Sequence, residues 1–125
     1  MEKLSENGSK PLVVLVVEDE FLLRYEIVEY LRNSGCLVLE ARTAAQAMAM
    51  CCDNTRVGVL LTDINLDGPG SGWDVAETLR AVRPGAGVVY MSANSIDHSR
   101  RLVGSLFFNK PCRASELLQA CRDLA

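Results

Sequence analysis

The residues best suited to chemistry in this sequence stand directly after short apolar runs. They are Glu18 and Asp19 after the first run, Asp63 after the third, Ser92 after the fourth and Lys110 after the fifth. Runs of this length and composition are typical of buried strands. In open α/β sheets the carboxyl ends of the strands share one edge, and ligands bind there. We therefore expect these side chains to converge, although they are far apart in the sequence.

Three carboxylates and one ammonium group at such an edge are suited to phosphoryl transfer. A carboxylate such as Asp63 can attack phosphorus and form an aspartyl phosphate. Clustered carboxylates raise one another's proton affinity unless a cation neutralises them, and hard oxygen ligands favour Mg²⁺. Lys110 would supply a second positive charge for the transferred group, and the Ser92 hydroxyl could donate to one of its oxygens. These residues predict a nucleophile, Asp63, beside a magnesium site.

Five repetitions of a strand followed by a helix make up the rest of the chain. The predicted strands are residues 11–17, 36–39, 57–61, 87–91 and 106–108. The predicted helices are residues 21–33, 44–52, 73–82, 95–103 and 114–124, of which 95–103 (SIDHSRRLV) has the weakest apolar stripe. This alternation predicts an α/β fold in which helices cover both faces of a parallel sheet.

Length, charge and cysteine content restrict the class of protein. A chain of 125 residues fits one domain, which we place at residues 11–125 after a disordered polar tail at residues 1–10. The formal net charge of -3 argues against nucleic-acid binding. No apolar run reaches the roughly 20 residues of a membrane helix. Five cysteines without a C-x-x-C pair indicate neither a disulfide framework nor a zinc site, and reduced thiols suit a cytoplasmic protein.

Four short motifs make the sequence resemble a known family. They are Val17-Glu18-Asp19-Glu20, Leu61-Thr62-Asp63-Ile64, Met91-Ser92-Ala93 and Asn109-Lys110-Pro111. In this order and at this spacing, the chain from residue 11 onward resembles the receiver domain of two-component response regulators. The resemblance implies a CheY-like, flavodoxin-like fold, which is a single doubly wound parallel sheet of five strands in the order 2-1-3-4-5, flanked by five helices. Because no output domain follows residue 125, we expect a stand-alone receiver, with an excised domain of a larger regulator or hybrid kinase as the alternative.

The same resemblance implies a role for each residue of the site. Asp63 would be the phosphoacceptor for a histidine kinase or a phosphotransfer protein, and Ser92 and Lys110 would contact the phosphoryl group. The metal ligands that it implies are Glu18 (mainly through water), Asp19, Asp63 and the backbone carbonyl of Asn65. Such a domain is not otherwise an enzyme, since it catalyses only its own phosphorylation and slow dephosphorylation.

The resemblance also implies an output route through Phe107, which falls at the family's switch aromatic. A phosphoryl group adds about -1.5 to -2 charges, and we expect it to draw Ser92 closer and to let Phe107 turn inward. The surface made by residues 95–103, residues 106–108 and the last helix should then bind a downstream protein or a second copy of the chain. The expected polar contacts are Arg100 and Arg101. Neither nucleic acid nor membrane is an expected partner.

Three features depart from the family pattern. Asp67 stands where many receivers have proline, the loop at residues 68–72 is one residue longer, and Phe107 replaces a tyrosine and so lacks a hydroxyl. We interpret Asp67 as a solvated turn residue and not as a further metal ligand. The single histidine, His98, indicates no catalytic triad and is interpreted as a solvated helix residue.

Two other functions remain as alternatives. The first is a degenerate receiver that binds a partner without being phosphorylated, although this sequence keeps the acids and the lysine. The second is a small Mg²⁺-dependent phosphatase with an aspartate nucleophile, of the haloacid dehalogenase type. In that class a second aspartate stands two residues after the nucleophile, where this chain has Asn65.

Overall fold

The computed structural model describes residues 10–53 and 56–125, and its centre is a sheet of five parallel strands. The strands are β1 (Val13–Val17), β2 (Leu37–Ala41), β3 (Val59–Asp63), β4 (Gly87–Ser92) and β5 (Leu106–Asn109). The helices are α1 (Phe21–Asn33), α2 (Ala44–Asp53), α3 (Gly72–Val82) and α4 (Ala114–Leu124). The strand order β2-β1-β3-β4-β5 is the predicted one. The predicted tail at residues 1–10 lies outside the described residues, apart from Lys10.

Both faces of the sheet are covered, which explains why the strand sequences do not alternate between apolar and polar residues. Every residue of β1, β3 and β4 is buried. In β1, Val14 and Val16 point into the core shared with α1 and α4, whereas Leu15 and Val17 point into the core shared with α2 and α3. Within the described residues, no helix is long and apolar enough to cross a membrane.

The predicted helix at residues 95–103 is wrong. The described residues contain four α-helices, and this segment forms only a 3₁₀ turn, His98–Arg100. None of the turn's residues is buried, so burial does not offset the cost of nucleating a helix. The carboxylate of Asp97 accepts the backbone N–H of Ser99 at 2.9 Å and begins the turn, and Gly104, with a φ of 79°, redirects the chain before β5.

Four strands extend beyond their predicted ends, and the extensions of β3 and β5 bear on the site. Strand β3 continues to Asp63, which pairs with Met91 of β4, and β5 continues to Asn109, which pairs with Ser92. The sequence interpretation ended these strands at residues 61 and 108, because it took the following polar residues as the start of a loop. The backbone of Asp63 therefore belongs to the sheet, so the position of its carboxylate is set by the strand ladder.

The loop between β3 and α3 passes tightly over Asp63. The backbone N–H of Gly72 donates to the carbonyl of Ile64 at 2.8 Å. A Cβ atom on Gly72 would overlap the carbonyl oxygen of Asp63. The helix that follows is capped by Asp74, which accepts the backbone N–H of Ser71 at 2.8 Å and its hydroxyl at 3.2 Å. The loop is therefore closed beside the end of β3, at a position that only glycine can occupy without displacement.

Gly72→Ala is expected to lower the free energy of unfolding by about 1–3 kcal/mol. The added methyl group would overlap the carbonyl oxygen of Asp63 and would lie 2.9 Å from Cα of Ile64. Chemical denaturation followed by circular dichroism measures the loss. Gly85→Ala is the matched control, because a Cβ there meets nothing within 4 Å, and a change within about 0.5 kcal/mol is expected. Equal stability of the two variants would contradict the tight passage over Asp63.

Candidate functional site

Three strand ends bring three carboxylates and one ammonium group into a single cluster. Lys110, directly after β5, places Nζ 2.6 Å from Oε1 of Glu18 and 3.0 Å from Oδ2 of Asp63. One carboxylate oxygen from each of Glu18, Asp19 and Asp63 lies within 4.8 Å of the other two. We call these four residues the acid cluster. All four were expected at the site from the sequence.

Glu18 is the most buried member of the acid cluster, with 1% of its surface exposed. Its Oε1 accepts from the Lys110 ammonium, and its Oε2 accepts the backbone N–H of Glu20 at 3.1 Å. Burial raises the pKa of Glu18 above its ordinary value, and the hydrogen bond with Lys110 offsets only part of this effect. The ionised form of Glu18 therefore depends on the charge of Lys110.

Lys110 keeps its positive charge although it is mostly buried. Burial acts to lower the pKa of Lys110, but the hydrogen bonds to Glu18 and Asp63 outweigh it, so the pKa is raised. The backbone N–H of Lys110 donates to the carbonyl of Ser92 at 2.9 Å. Because this bond continues the pairing of β4 with β5, it fixes the point at which the lysine side chain leaves the sheet.

Asp63 is buried at the end of β3, with 6% of its surface exposed. Lys110 donates to its Oδ2, whereas its Oδ1 accepts only a longer bond, 3.3 Å, from the backbone N–H of Asn65. The backbone of Asn65 therefore runs alongside the carboxylate. Of the two oxygens, Oδ1 is therefore the less tightly held.

Asp19 is half-buried at the mouth of the acid cluster. Its Oδ2 accepts the backbone N–H of Asp67 at 3.0 Å. Burial acts to raise the pKa of Asp19, but hydrogen bonds with the Glu18 side chain and the Asp67 backbone outweigh it, so the pKa is lowered. Asp67 is itself exposed, and both its backbone N–H and its side chain contact Asp19.

Ser92 stands beside the acid cluster at the end of β4, but its hydroxyl is turned toward its own loop. The Oγ atom accepts the backbone N–H of Asn94 at 3.1 Å and donates to the Asn94 carbonyl at 3.3 Å. The side-chain amide of Asn65 donates to the same oxygen at 3.4 Å. The Ser92 hydroxyl must therefore exchange these partners before it can bind a phosphoryl oxygen.

Phe107 lies outside the acid cluster, in β5, where it is half-buried. Its ring contacts the imidazole of His98 edge to face, with the ring centres 5.0 Å apart. His98 is exposed, as expected, but it stands on a 3₁₀ turn and packs against the aromatic residue that the family resemblance implies as the switch. On β4, next to Phe107, Tyr90 is fully buried, and its hydroxyl accepts the backbone N–H of Leu102 at 3.3 Å.

The sequence interpretation missed two residues near the site, Arg24 and Tyr90. Nη1 of Arg24 donates to the backbone carbonyl of Glu18 at 2.8 Å, directly behind the acid cluster. Its position three residues before Ile27, on the inward face of the predicted helix, could have indicated a buried role. Tyr90 lies within an apolar strand, and the sequence offers no sign that its hydroxyl binds the backbone of residue 102.

The donor set fits a small, hard divalent cation. The acid cluster offers three carboxylates and a single ammonium group, so negative charge is in excess when the acids are ionised. All the available ligand atoms are oxygens, which Mg²⁺ prefers to nitrogen or sulfur. Asp19 faces solvent most openly and Glu18 is enclosed, so a cation would enter from the side of Asp19.

Sequence comparison identifies one matching family. The family described as the response regulator receiver domain matches residues 14–122, which is most of the chain. No curated protein matches the chain.

Similar folds occur among solved structures. A response regulator receiver protein from Sinorhizobium medicae is 27% identical, with a TM-score of 0.87 over 91% of this chain and 94% of that protein. The receiver domain of the hybrid histidine kinase CckA is 25% identical, with a TM-score of 0.78 over 90% and 97% of the two chains. The response regulator TrrA from Thermotoga maritima, solved with Mg²⁺ and BeF, is 22% identical, with a TM-score of 0.77 over 91% and 99%. At 22% identity, the similarity to TrrA shows only that the two proteins share a fold.

Lys110→Met is expected to destabilise the protein by about 3 kcal/mol at neutral pH in the absence of divalent ions, because it leaves buried Glu18 and Asp63 without their cation. The pKa of Glu18 is raised in the folded state. At pH values above the ordinary pKa of a carboxyl group, the folded chain therefore binds more protons than the unfolded chain. Stability is therefore lost as the pH rises through the folded pKa. Removing Lys110 raises that pKa further, so the loss should become larger.

Denaturation at several pH values in EDTA tests this expectation. The gap between Lys110→Met and the wild type should be small at acid pH and should widen toward neutral pH. Arg100→Met, which removes an exposed ion pair with Asp74 and Glu77, is the control and should cost less than about 1 kcal/mol. A gap between Lys110→Met and the wild type that does not change with pH would show that Glu18 does not depend on Lys110 for its charge.

Proposed function

This chain belongs to the response regulator receiver domain family, and we propose that it accepts a phosphoryl group on Asp63 in a two-component pathway. The observation that carries the proposal is the contact of Lys110 with both Asp63 and Glu18 at the carboxyl edge of the sheet. In this arrangement the carboxylate of Asp63 is the nucleophile, and the ammonium group of Lys110 is the countercharge for the transferred group. The proposed location is the cytoplasm, where histidine kinases act on their receivers.

The proposed donor is a phosphohistidine on a histidine kinase or a phosphotransfer protein. Oδ1 of Asp63 forms a bond to phosphorus while the bond between phosphorus and the donor imidazole breaks, and the imidazole nitrogen keeps the electron pair and takes up a proton. Lys110 stays on the other side of the carboxylate, within reach of the incoming oxygens. The Ser92 hydroxyl then leaves Asn94 and donates to a phosphoryl oxygen. Water later hydrolyses the acyl phosphate slowly, and no other substrate is turned over.

The acid cluster would hold Mg²⁺ through Asp19 and Asp63, with the Asn65 carbonyl as a further ligand and Glu18 acting mainly through water. Lys110 and the backbone of Glu20 already occupy the two carboxylate oxygens of Glu18, which supports a contact of Glu18 with Mg²⁺ through water. When bound, the ion would neutralise negative charge on the transferring group. The phosphatase alternative is disfavoured, because Asn65 uses its side chain to bind Ser92 and has no acid to offer.

Exposed apolar side chains beside the acid cluster support a protein as the donor. Phe21, Leu22 and Tyr25 in the first turns of α1 are exposed, and α1 begins two residues after Asp19. Clusters of exposed apolar residues mark surfaces where proteins bind. A phosphohistidine has to be brought to Asp63 by its carrier protein, and this face of α1 borders the entrance to the site.

The proposed output surface comprises residues 95–103, β5 and α4. No residue of 95–103 is fully buried, and Arg100 holds the segment through exposed ion pairs with Asp74 at 2.9 Å and with Glu77 at 2.7 Å on α3. Exposed ion pairs of this kind each contribute little to stability. A segment with few buried contacts can be displaced by a small change in free energy. The movement of Ser92 and Phe107 would supply that change, and a downstream protein or a second copy of the chain would bind the altered surface.

Asp63→Asn is expected to abolish phosphorylation. Incubation of the wild type with Mg²⁺ and acetyl phosphate should add one base-labile phosphoryl group, detected by intact mass spectrometry. Asp19→Asn should remove most of the label, because the cation site loses its most open ligand. Asp123→Asn is the matched control: it makes the same change at an exposed carboxylate of α4, which binds Gln119, and it should be labelled like the wild type. Stable label on Ser92 or His98 in the wild type would refute the assignment of Asp63.

Hydrogen exchange tests the proposed output. Adding beryllofluoride, a phosphoryl mimic, with Mg²⁺ should change amide exchange most in residues 95–103, because none of these residues is fully buried and their ion pairs are exposed. Helix α1 at residues 23–31 serves as the internal reference, since it packs on the opposite face of the sheet. Changes confined to that helix, with residues 95–103 unaffected, would rule out the route through Ser92 and Phe107.

A further inference from the structure

Arg24, in the first turns of α1, has a mostly buried side chain that binds neighbouring parts of the protein. Only 12% of its side chain is exposed. Nη1 donates to the backbone carbonyl of Glu18 at 2.8 Å, and Nε donates to Oε1 of Glu40 on β2 at 3.2 Å. The guanidinium also lies 5.7 Å from the centre of the Phe21 ring. Arg24 therefore joins α1 to the ends of two strands through one rigid, planar group.

The bonded carbonyl lies in the segment that presents the acid cluster. The backbone N–H of Glu18 donates to Ala41 of β2 at 3.1 Å, so Arg24 and β2 hold this residue from both sides of its peptide backbone. The backbone N–H of Arg24 in turn donates to the carbonyl of Glu20 at 3.0 Å. Asp19 lies in sequence between Glu18 and Glu20, and Arg24 binds the carbonyls of both. These two bonds orient the backbone of Asp19 and so set the direction of its side chain.

We propose that Arg24 is a positioning residue for the cation site, and that Glu40 holds it in place. Arg24 contacts no ligand atom of the acid cluster. It fixes the turn from residue 18 to residue 20, and through that turn it fixes the carboxylates of Glu18 and Asp19. The proposal rests on the proposed function, because it assumes that the cluster binds Mg²⁺. Residues that orient metal ligands in this way commonly change metal affinity by about 10–100-fold when they are replaced.

The fork geometry of arginine gives the proposal a sharp test. Lysine retains the positive charge, so the charge near the cation is unchanged in Arg24→Lys, but an ammonium group cannot reproduce the planar fork that joins Glu18 and Glu40. The expected result is Mg²⁺ binding weakened by about 10-fold. Isothermal titration with Mg²⁺ alone measures it, at a temperature where circular dichroism shows that each variant is folded.

Arg32→Lys is the matched control. Arg32 also lies on α1, at 3.6 Å from Oε2 of the same Glu40, and it donates to the carbonyl of Val38 at 3.0 Å, a position within β2 and away from the acid cluster. The substitution is chemically identical, so a general loss of stability should be shared by both variants. Only Arg24→Lys should weaken Mg²⁺ binding. Glu40→Gln, which keeps an acceptor oxygen but loses the charge, should weaken it by a smaller factor than Arg24→Lys.

The outcomes separate this inference from the proposed function. Wild-type affinity for Mg²⁺ in Arg24→Lys would overturn the positioning role, and so would an equal loss of affinity in Arg24→Lys and Arg32→Lys. If the wild-type protein binds no Mg²⁺, the proposed function fails, and the inference fails with it. Weakened binding in Arg24→Lys alone, with unchanged folding midpoints in EDTA, would establish the role, because a purely structural residue would not move the affinity by itself.

Discussion

The structure depends on one electrostatic constraint, which is that carboxylates placed together at the edge of a sheet require a cation. Lys110 provides it by contacting Glu18 and Asp63 at once. Without that ammonium group, burial would favour the protonated form of Glu18 and leave a weaker ligand set. The parallel topology makes this contact possible, because the carboxyl ends of β1, β3 and β5 share one edge of the sheet and bring these residues together from distant parts of the chain.

Much of the fold could be predicted from the sequence, because the strands are continuous apolar runs and the helices between them have clear periodicity. The strand order followed from the family resemblance, and it is confirmed. Contacts made by backbone atoms could not be predicted. The bond from Asp67 to Asp19 depends on how two loops pass each other, and the bond from Arg24 to the carbonyl of Glu18 depends on the angle at which α1 leaves β1. The roles of the site residues remain predictions.

The segment at residues 95–103 shows where periodicity fails as a guide. The sequence suggested a helix because the fold alternates strands and helices, yet it has too few apolar residues to bury one. The structure connects β4 to β5 with a 3₁₀ turn, and the side chains of Arg100 and Tyr90 hold this connection where a helix would otherwise pack. The proposed output surface is therefore held by polar contacts at its rim and by the buried hydroxyl of Tyr90.

The tight passage at Gly72 has a consequence for how this family can vary. Ladder pairing fixes residue 63 at one end of the β3–α3 loop, and the close approach to the Asp63 carbonyl fixes residue 72 at the other. Gly68 and Gly70, with φ of 80° and 90°, lie in the exposed part between these anchors. The loop length between the two anchors can therefore differ only in this exposed part if the anchors are to stay in place. A change of residue types in this exposed part would alter the surface beside the acid cluster and leave the position of the Asp63 carboxylate unchanged.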